Sequence, residues 1–240
     1  MTKQNLSRRA FLASATTSAA MVGCATAPER VNTAKVVPGK VSPNEKLNIA
    51  AVGIGGMGRA NLQNCKSENI VALCDVDSVV AARTFAEFPN AKRYVDFREM
   101  FDKEAKNFDG VIIATPDHTH AVIAMAAIRA GKHVYCQKPL AHSLHETRQL
   151  VAAARAAGVQ TQMGNQGHSS EETRRCCEWI ADGAIGDVRE IHAWSDRPVG
   201  GDPWSNFPIM ARPVETPPVP ETLNWDLWLG PAAYRPYHPV

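Results

Sequence analysis

No run of about 18 consecutive apolar residues occurs in the 240-residue chain, so the sequence offers no candidate for a membrane-spanning helix. Charge of either sign is not in excess. The formal net charge is +2, and leaving out Lys3, Arg8 and Arg9 takes the basic count from 26 to 23 against 24 acidic residues. Such a balance gives no electrostatic reason for a nucleic-acid partner or an anionic surface. The six cysteines are Cys24, Cys65, Cys74, Cys136, Cys176 and Cys177, a spacing that fits neither a zinc site nor a disulfide framework. Cys65, Cys74 and Cys136 read as small core residues. The vicinal pair Cys176 and Cys177 falls in a helical pattern, where neighbours point about 100° apart, so no metal site is expected there or elsewhere. What is present is ordinary: 45% hydrophobic and 21% charged residues suit a globular chain whose core needs no covalent staples.

The informative stretch is Val52-Gly53-Ile54-Gly55-Gly56-Met57-Gly58. It follows an apolar strand pattern (Lys46 to Val52) and opens a helix whose pattern runs from Arg59 to Cys65, with a second apolar strand from Asn69 to Leu73 ending in Cys74-Asp75-Val76-Asp77. Glycines at 53, 55 and 58 serve three purposes: a tight strand-to-helix turn, close backbone approach to a pyrophosphate, and helix–strand contact. The spacing is that of a dinucleotide-binding βαβ unit. Gly53, Gly55, Gly56, Met57 and Gly58 are therefore candidate cofactor residues, the helix N-terminus meeting the phosphates. Asp75 lies about 20 residues on, where a carboxylate accepts hydrogen bonds from the adenosine ribose and repels a 2′-phosphate. NAD is thus expected. NADP stays open, because Arg83 folding back would tolerate the phosphate. Asp77 reads as the cap of the next helix.

Upstream, Ser7-Arg8-Arg9-Ala10-Phe11-Leu12 precedes a weakly apolar run from Ala13 to Val22, which looks like a twin-arginine export signal over residues 1–27. Met21-Val22-Gly23-Cys24 resembles a lipobox with methionine where leucine is usual, which would anchor the chain through a lipid on Cys24; cleavage after Ala25-Thr26-Ala27 would instead put Pro28 beside the cut. A periplasmic or cell-envelope location is expected. Residues 28–44, with Pro28, Pro38, Gly39 and Pro43, read as a flexible tether.

Beyond Asp75 the alternation continues. The patterns predict a helix from Ser78 to Glu87, a short strand from Lys92 to Val95, a helix after Asp96, and a strand from Gly110 to Ala114 ended by Thr115-Pro116-Asp117-His118-Thr119-His120. A helix from Ala121 to Ala130, a strand from Lys132 to Cys136, a helix from Ser143 to Ala157 stopped by Gly158, and a last strand from Val159 to Met163 follow. This is the signature of an α/β Rossmann domain, a doubly wound parallel sheet binding ligands at the carboxyl ends of its strands. Its expected span is residues 45–165. At the end of the last strand, Asn165, Gln166 and His168 offer hydrogen-bond groups suited to sugar or polyol hydroxyls; a polar turn capping the next helix is the alternative.

From Lys46 onward the sequence resembles the glucose–fructose oxidoreductase/inositol dehydrogenase family (Gfo/Idh/MocA), through VGIGGMG, CDVD, ATPDHTH, GKHVYCQKPL and DLWLGP at Asp226 to Pro231. The resemblance implies an enzyme whose Lys138 lies beside the nicotinamide and the reacting hydroxyl, with Thr115, Pro116 and His120 lining that half of the cleft and a cis peptide bond at Pro139. An ammonium hydrogen-bonded to that hydroxyl would stabilise charge developing on its oxygen. Gln137 replaces the family's glutamate. His118 reads as a capping or surface residue. Residues 166–240, with a helix from Glu171 to Ala181, a strand from Val188 to Trp194 and a proline-rich arm from Arg197 to Pro220 bearing Trp204, Phe207 and Met210, would begin an α+β substrate and oligomerisation domain. The family's aspartate and histidine beyond DLWLGP have no match before Val240, which points to a piece of a longer protein, a natural truncation without complete catalysis being the alternative; the resemblance implies a homo-oligomer at full length. The expected activity is oxidation or reduction of a sugar, glycoside or cyclitol hydroxyl by an exported enzyme with a tightly held, recycled cofactor. Two alternatives are a redox-neutral NAD-dependent glycosidase or lyase, and a non-catalytic nucleotide-binding module.

Overall fold

A computed structural model describes residues 45–194 and 214–239; the expected export signal over 1–27 with Cys24, the expected tether over 28–44, and Trp204, Phe207 and Met210 of the proline-rich arm lie outside them. Six parallel strands form one sheet in the order β3-β2-β1-β4-β5-β6. They are β1 (Asn48–Val52), β2 (Asn69–Cys74), β3 (Lys92–Tyr94), β4 (Gly110–Ile113), β5 (His133–Gln137) and β6 (Thr161–Gly164). β1 is central: Ala50 sits in register with Ala72 on one side and Val111 on the other. A strand flanked and covered in this way can be apolar throughout, and Ala50, Ala51 and Val52 are all buried.

The connecting helices are α1 (Gly56–Asn64), α2 (Ser78–Glu87), α3 (Phe97–Glu104), α4 (Asp117–Arg129) and α5 (Leu144–Ala157), followed by α6 (Glu171–Ala181) and, after the undescribed stretch, α7 (Trp225–Leu229). Alternate strand residues go to opposite faces. Ala50, Val52, Ala72, Val111, Ile113 and Val134 pack with residues of α3, α4 and α5, whereas Ile49, Ala51, Leu73 and Ile112 pack with Leu62 of α1 and Ala81 of α2. The reversal of strand order between β1 and β4 therefore opens a crevice at the carboxyl edge, where the α1 loop starts.

Local sequence explains the helix ends. Asp77 Oδ1 accepts the N–H groups of Val79 (2.9 Å) and Val80 (3.2 Å) at the start of α2, the capping role its position predicted. Ser143 and Glu146 form a reciprocal capping box at α5, and Gly158 ends that helix in the left-handed conformation at φ 69°. α4 begins at Asp117, earlier than its apolar pattern suggests, so His118, Thr119 and His120 lie in its first turn. Pro116 just ahead of them has no N–H to leave unsatisfied.

One expected element is absent. Asp187–Trp194 forms no strand, and Ile191 and Trp194 are 82% and 86% exposed. The Val188–Trp194 alternation provides one apolar face, but a strand also needs an edge to pair with, and none lies beside it among the described residues.

Away from the crevice, Glu104 is buried and accepts hydrogen bonds from Lys92 Nζ (2.7 Å), Tyr94 Oη (2.8 Å) and Asn107 Nδ2 (2.8 Å), fastening edge strand β3 to α3. Those donors hold its carboxyl down at about 2. Burial first, then the hydrogen bond to Glu104 and its charge, push the Tyr94 hydroxyl up to about 12.

Candidate functional site

The turn after β1 is made by glycines that nothing larger could replace. Gly53 has φ 76°, and a Cβ there would come within 2.7 Å of the Ala114–Thr115 backbone at the end of β4. A Cβ on Gly58 would lie 1.8 Å from the Gly53 carbonyl oxygen. This is helix–strand contact too close for any side chain. Before Gly56, at φ 39°, the space is open. α1 thus starts with N–H groups that have no intrahelical acceptor, no acidic residue in its first turn, and a gap in front of it.

That gap is part of a cavity of about 420 Å³ whose walls include Gly53, Gly55, Gly56 and Met57 from the loop and Asp75, Thr115 and Pro116 from the ends of β2 and β4. The structure therefore gathers seven of the proposed cofactor residues, with Gly58 packed beneath them. Asp75 does more than line the wall: its Oδ2 accepts the Ile54 N–H at 2.8 Å and its Oδ1 the Asp77 N–H at 3.0 Å, which shapes the glycine loop. Burial pushes the Asp75 carboxyl up, while N–H groups of Asp77, Ile54 and Gly55 pull it down. Arg83, the residue that could have admitted a 2′-phosphate, is exposed and paired with Glu87 at 3.2 Å. Asp77 also lines the cavity, as does Asp96, whose carboxylate is paired with Arg98 at 2.6 Å, so Asp75 and Asp77 are the carboxylates that this pair leaves on the wall.

His120 and Lys138 are placed differently. His120 is 1% exposed and lies behind the cleft; Nδ1 is 2.7 Å from the Pro139 carbonyl oxygen and Nε2 is 2.8 Å from that of Thr115. It joins the end of β4 to the loop after β5 and does not line the cavity. Lys138 is exposed at the end of β5, outside the cavity wall, and its peptide bond to Pro139 is cis. Gln137 is buried, with Nε2 unpaired among the described residues, and a Cβ on Gly164 would meet its side chain at 2.8 Å. A neutral amide is cheaper to enclose there than the glutamate it replaces.

The polar groups after β6 are not brought to this cavity. Gln166 turns its amide towards Tyr135 Oη (3.1 Å) and Asn61 Oδ1 (3.4 Å), lining a separate cavity of about 520 Å³ beside α1. Asn165 is half-buried and His168 exposed, and neither lines either cavity. His118, read from sequence as a cap or surface group, instead holds the Trp228 carbonyl oxygen at 2.9 Å. Leu223, Leu227 and Trp228 complete the cavity wall. The sequence assigned them no role there; the DLWLGP segment was a signal for Leu227 and Trp228, and Leu223 had none. Among the described residues no group of three or more His, Cys, Asp or Glu side chains is placed to hold a metal ion. No described helix is long and apolar enough to cross a membrane.

A glycine cradle, a helix N-terminus facing open space and a carboxylate at the end of the second strand, all at one switch point, define a dinucleotide-binding domain. Residues 47–165 match the oxidoreductase family with an NAD-binding Rossmann fold, GFO_IDH_MocA, and over that span the chain belongs to it. The chain is similar to 1,5-anhydro-D-fructose reductase of Ensifer adhaerens, 42% identical over 88 residues that cover 35% of this chain and 26% of that one. Inositol 2-dehydrogenase of Azotobacter vinelandii is 28% identical over 152 residues, 61% of this chain and 44% of the relative. Among solved structures, an NAD binding oxidoreductase from Klebsiella pneumoniae superposes with a TM-score of 0.52 at 35% identity, covering 59% of this chain and 40% of that one. The chain spans less than half the length of these relatives.

Proposed function

We propose that the whole protein is an exported, NAD-dependent oxidoreductase acting on a hydroxyl of a sugar, glycoside or cyclitol, and that it keeps and recycles one tightly held cofactor. The observation that carries this reading is the single cavity uniting the Gly53–Met57 loop, Asp75 and Thr115-Pro116. Support for the substrate class comes from relatives named for an anhydro sugar and for inositol. Export, a lipid on Cys24 and a periplasmic or envelope location rest on Arg8-Arg9 and the Met21–Cys24 stretch, and a homo-oligomeric whole protein rests on family resemblance.

When bound, NAD supplies a two-electron hydride acceptor. The chain's own residues do the rest. The α1 N-terminus and glycine loop bind the pyrophosphate, and Asp75 takes the ribose hydroxyls while fixing the loop. Lys138, on the adjoining strand end, holds the proton at the substrate hydroxyl oxygen and stabilises charge there. His120 positions it indirectly by tying the carbonyls of Thr115 and Pro139 together. Free NAD is scarce outside the cytoplasm, so an exported enzyme favours either two substrates exchanging a hydride or oxidation, elimination and re-reduction in one cycle.

In the whole protein, Lys138→Ala should lower turnover by about 10² or more with NADH binding retained; unchanged turnover removes Lys138 from the reaction. Denaturing the freshly purified protein should release nucleotide into the supernatant. A supernatant without it, together with weak binding of added NAD, contradicts a retained cofactor. Bond cleavage without net reduced nicotinamide would assign the redox-neutral cycle.

A further inference from the structure

The segment Thr222–Trp228 is 144 positions away from the β2–α2 loop at its near end and is bonded to it. Ser78 N–H donates to the Thr222 carbonyl at 2.9 Å, Asn224 N–H donates to the Val76 carbonyl at 2.9 Å, and Asp77 and Leu223 form an antiparallel bridge. At the other end His118 Nε2 donates to the Trp228 carbonyl at 2.9 Å. A Cβ on Gly230 would be 3.1 Å from the Thr119 methyl group. The strap is therefore fastened to the end of β2 on one side and to α4 on the other. Between these anchors Leu223, Leu227 and Trp228 face the cavity that also holds Asp75.

Its own outer side is well made. Trp225 stacks on Trp228 with ring centroids 4.7 Å apart and planes 16° apart, meets Tyr237 edge-on at 5.3 Å, and donates its indole N–H to the Arg235 carbonyl at 2.9 Å. The inner side, made by Leu223, Leu227 and Trp228, is half-buried apolar surface that lines the cavity. Given the glycine loop for the pyrophosphate and Asp75 for the adenosine ribose, the base belongs on the β2 side of the crevice, where the strap crosses. Leu223, Leu227 and Trp228 face Val76, Val95 and Phe97 there, an apolar slot suited to a flat heteroaromatic ring.

We propose that Thr222–Trp228 is the outer wall of the adenosine end of the nucleotide site and retards release of bound nucleotide. The inference rests on the NAD reading and gives it a structural cause for retention. Its test uses the nucleotide-stripped chain with NADH, ADP-ribose and nicotinamide mononucleotide as probes, release being followed by stopped-flow fluorescence. Leu227→Ala and Trp228→Ala should each speed NADH release about tenfold and weaken ADP-ribose to a similar degree, because each removes apolar contact with the base. The affinity for nicotinamide mononucleotide should be unchanged, and Leu227→Met, of similar volume, should restore slow release. Melting of the nucleotide-free variants checks folding. If Trp228→Ala does not fold, Leu223→Ala takes its place. Wild-type release rates in both alanine variants overturn the wall with the NAD reading intact. Equal weakening of nicotinamide mononucleotide overturns its placement at the adenosine end. A wild-type chain that binds neither NADH nor ADP-ribose overturns the NAD reading itself.

Discussion

Two stretches follow the sheet, each bearing tryptophans, and they meet opposite fates. From Glu171 to Trp194 the chain forms α6 and then irregular backbone, with Trp179 60% and Trp194 86% exposed and no buried residue in the helix. From Thr222 to Leu229 the chain returns to the sheet, buries Leu229 to 4% exposure and makes two backbone hydrogen bonds with the β2–α2 loop, which together form one antiparallel bridge. Aromatic content does not separate them. What differs is whether backbone groups at a strand end lie within reach: the Val76 carbonyl and the Ser78 N–H pair with the second stretch, and nothing comparable meets the first among the described residues. Backbone pairing fixes the approach, and apolar burial then adds to it. Sequence order is consequently a poor guide to which layer a segment joins.

Substitutions can break this contrast between packed and unpacked regions. The largest effect is expected where backbone meets backbone. Gly58→Ala places a Cβ 1.8 Å from the Gly53 oxygen and 2.9 Å from its carbonyl carbon. Neither atom can yield without moving β1 from α1, so a loss of about 3 kcal/mol or more, with loss of NADH binding, is expected in thermal melts. An unchanged Tm would show that the helix–strand contact is looser than described. A smaller loss, ~1 kcal/mol or more at pH 7, should follow Glu104→Gln, which weakens the charge-assisted bonds from Lys92, Tyr94 and Asn107. The sign is set by a folded carboxyl held at about 2 against an ordinary 4.5. Its stabilisation is complete above about 4.5, fades as pH falls towards about 2, and wild type and variant should converge there in Tm measured against pH. A difference that stays constant with pH would rule out the charge as its origin. Least affected should be Trp179→Ser, within about 0.5 kcal/mol in this chain; a clear fall in Tm would show that α6 is packed after all.

The sheet was legible because its signals are local. Apolar runs of strand length, helical spacing, the cap at Asp77 and the stop at Gly158 each act within a few residues of where they stand. Gly53–Gly58 and Asp75 were legible for the same reason, the whole βαβ unit being contiguous. Longer-range features were not. The strap depends on contacts between Thr222 and Ser78 that no periodicity records. The failed strand at Val188–Trp194 has the right pattern and lacks a partner. Gln166 faces Tyr135 because of the direction in which the chain leaves β6, and His120 is enclosed because α4 begins at Asp117, one turn earlier than its apolar pattern. Glu104 drew no reading from sequence, because what encloses it is Lys92 and Tyr94 of β3, brought against it by the fold.

The central claim is that the crevice at Gly53–Gly58 is an NAD site whose carboxylate wall, led by Asp75, refuses a 2′-phosphate. Calorimetric titration of the nucleotide-stripped chain with NADH and then NADPH tests it most directly. Saturable NADH binding is expected, with an NADPH Kd about tenfold or more higher, since Asp75 and Asp77 line the wall, Arg98 is paired with Asp96 and Arg83 is held by Glu87. NADPH binding as tightly as NADH, or no binding of either, would contradict it.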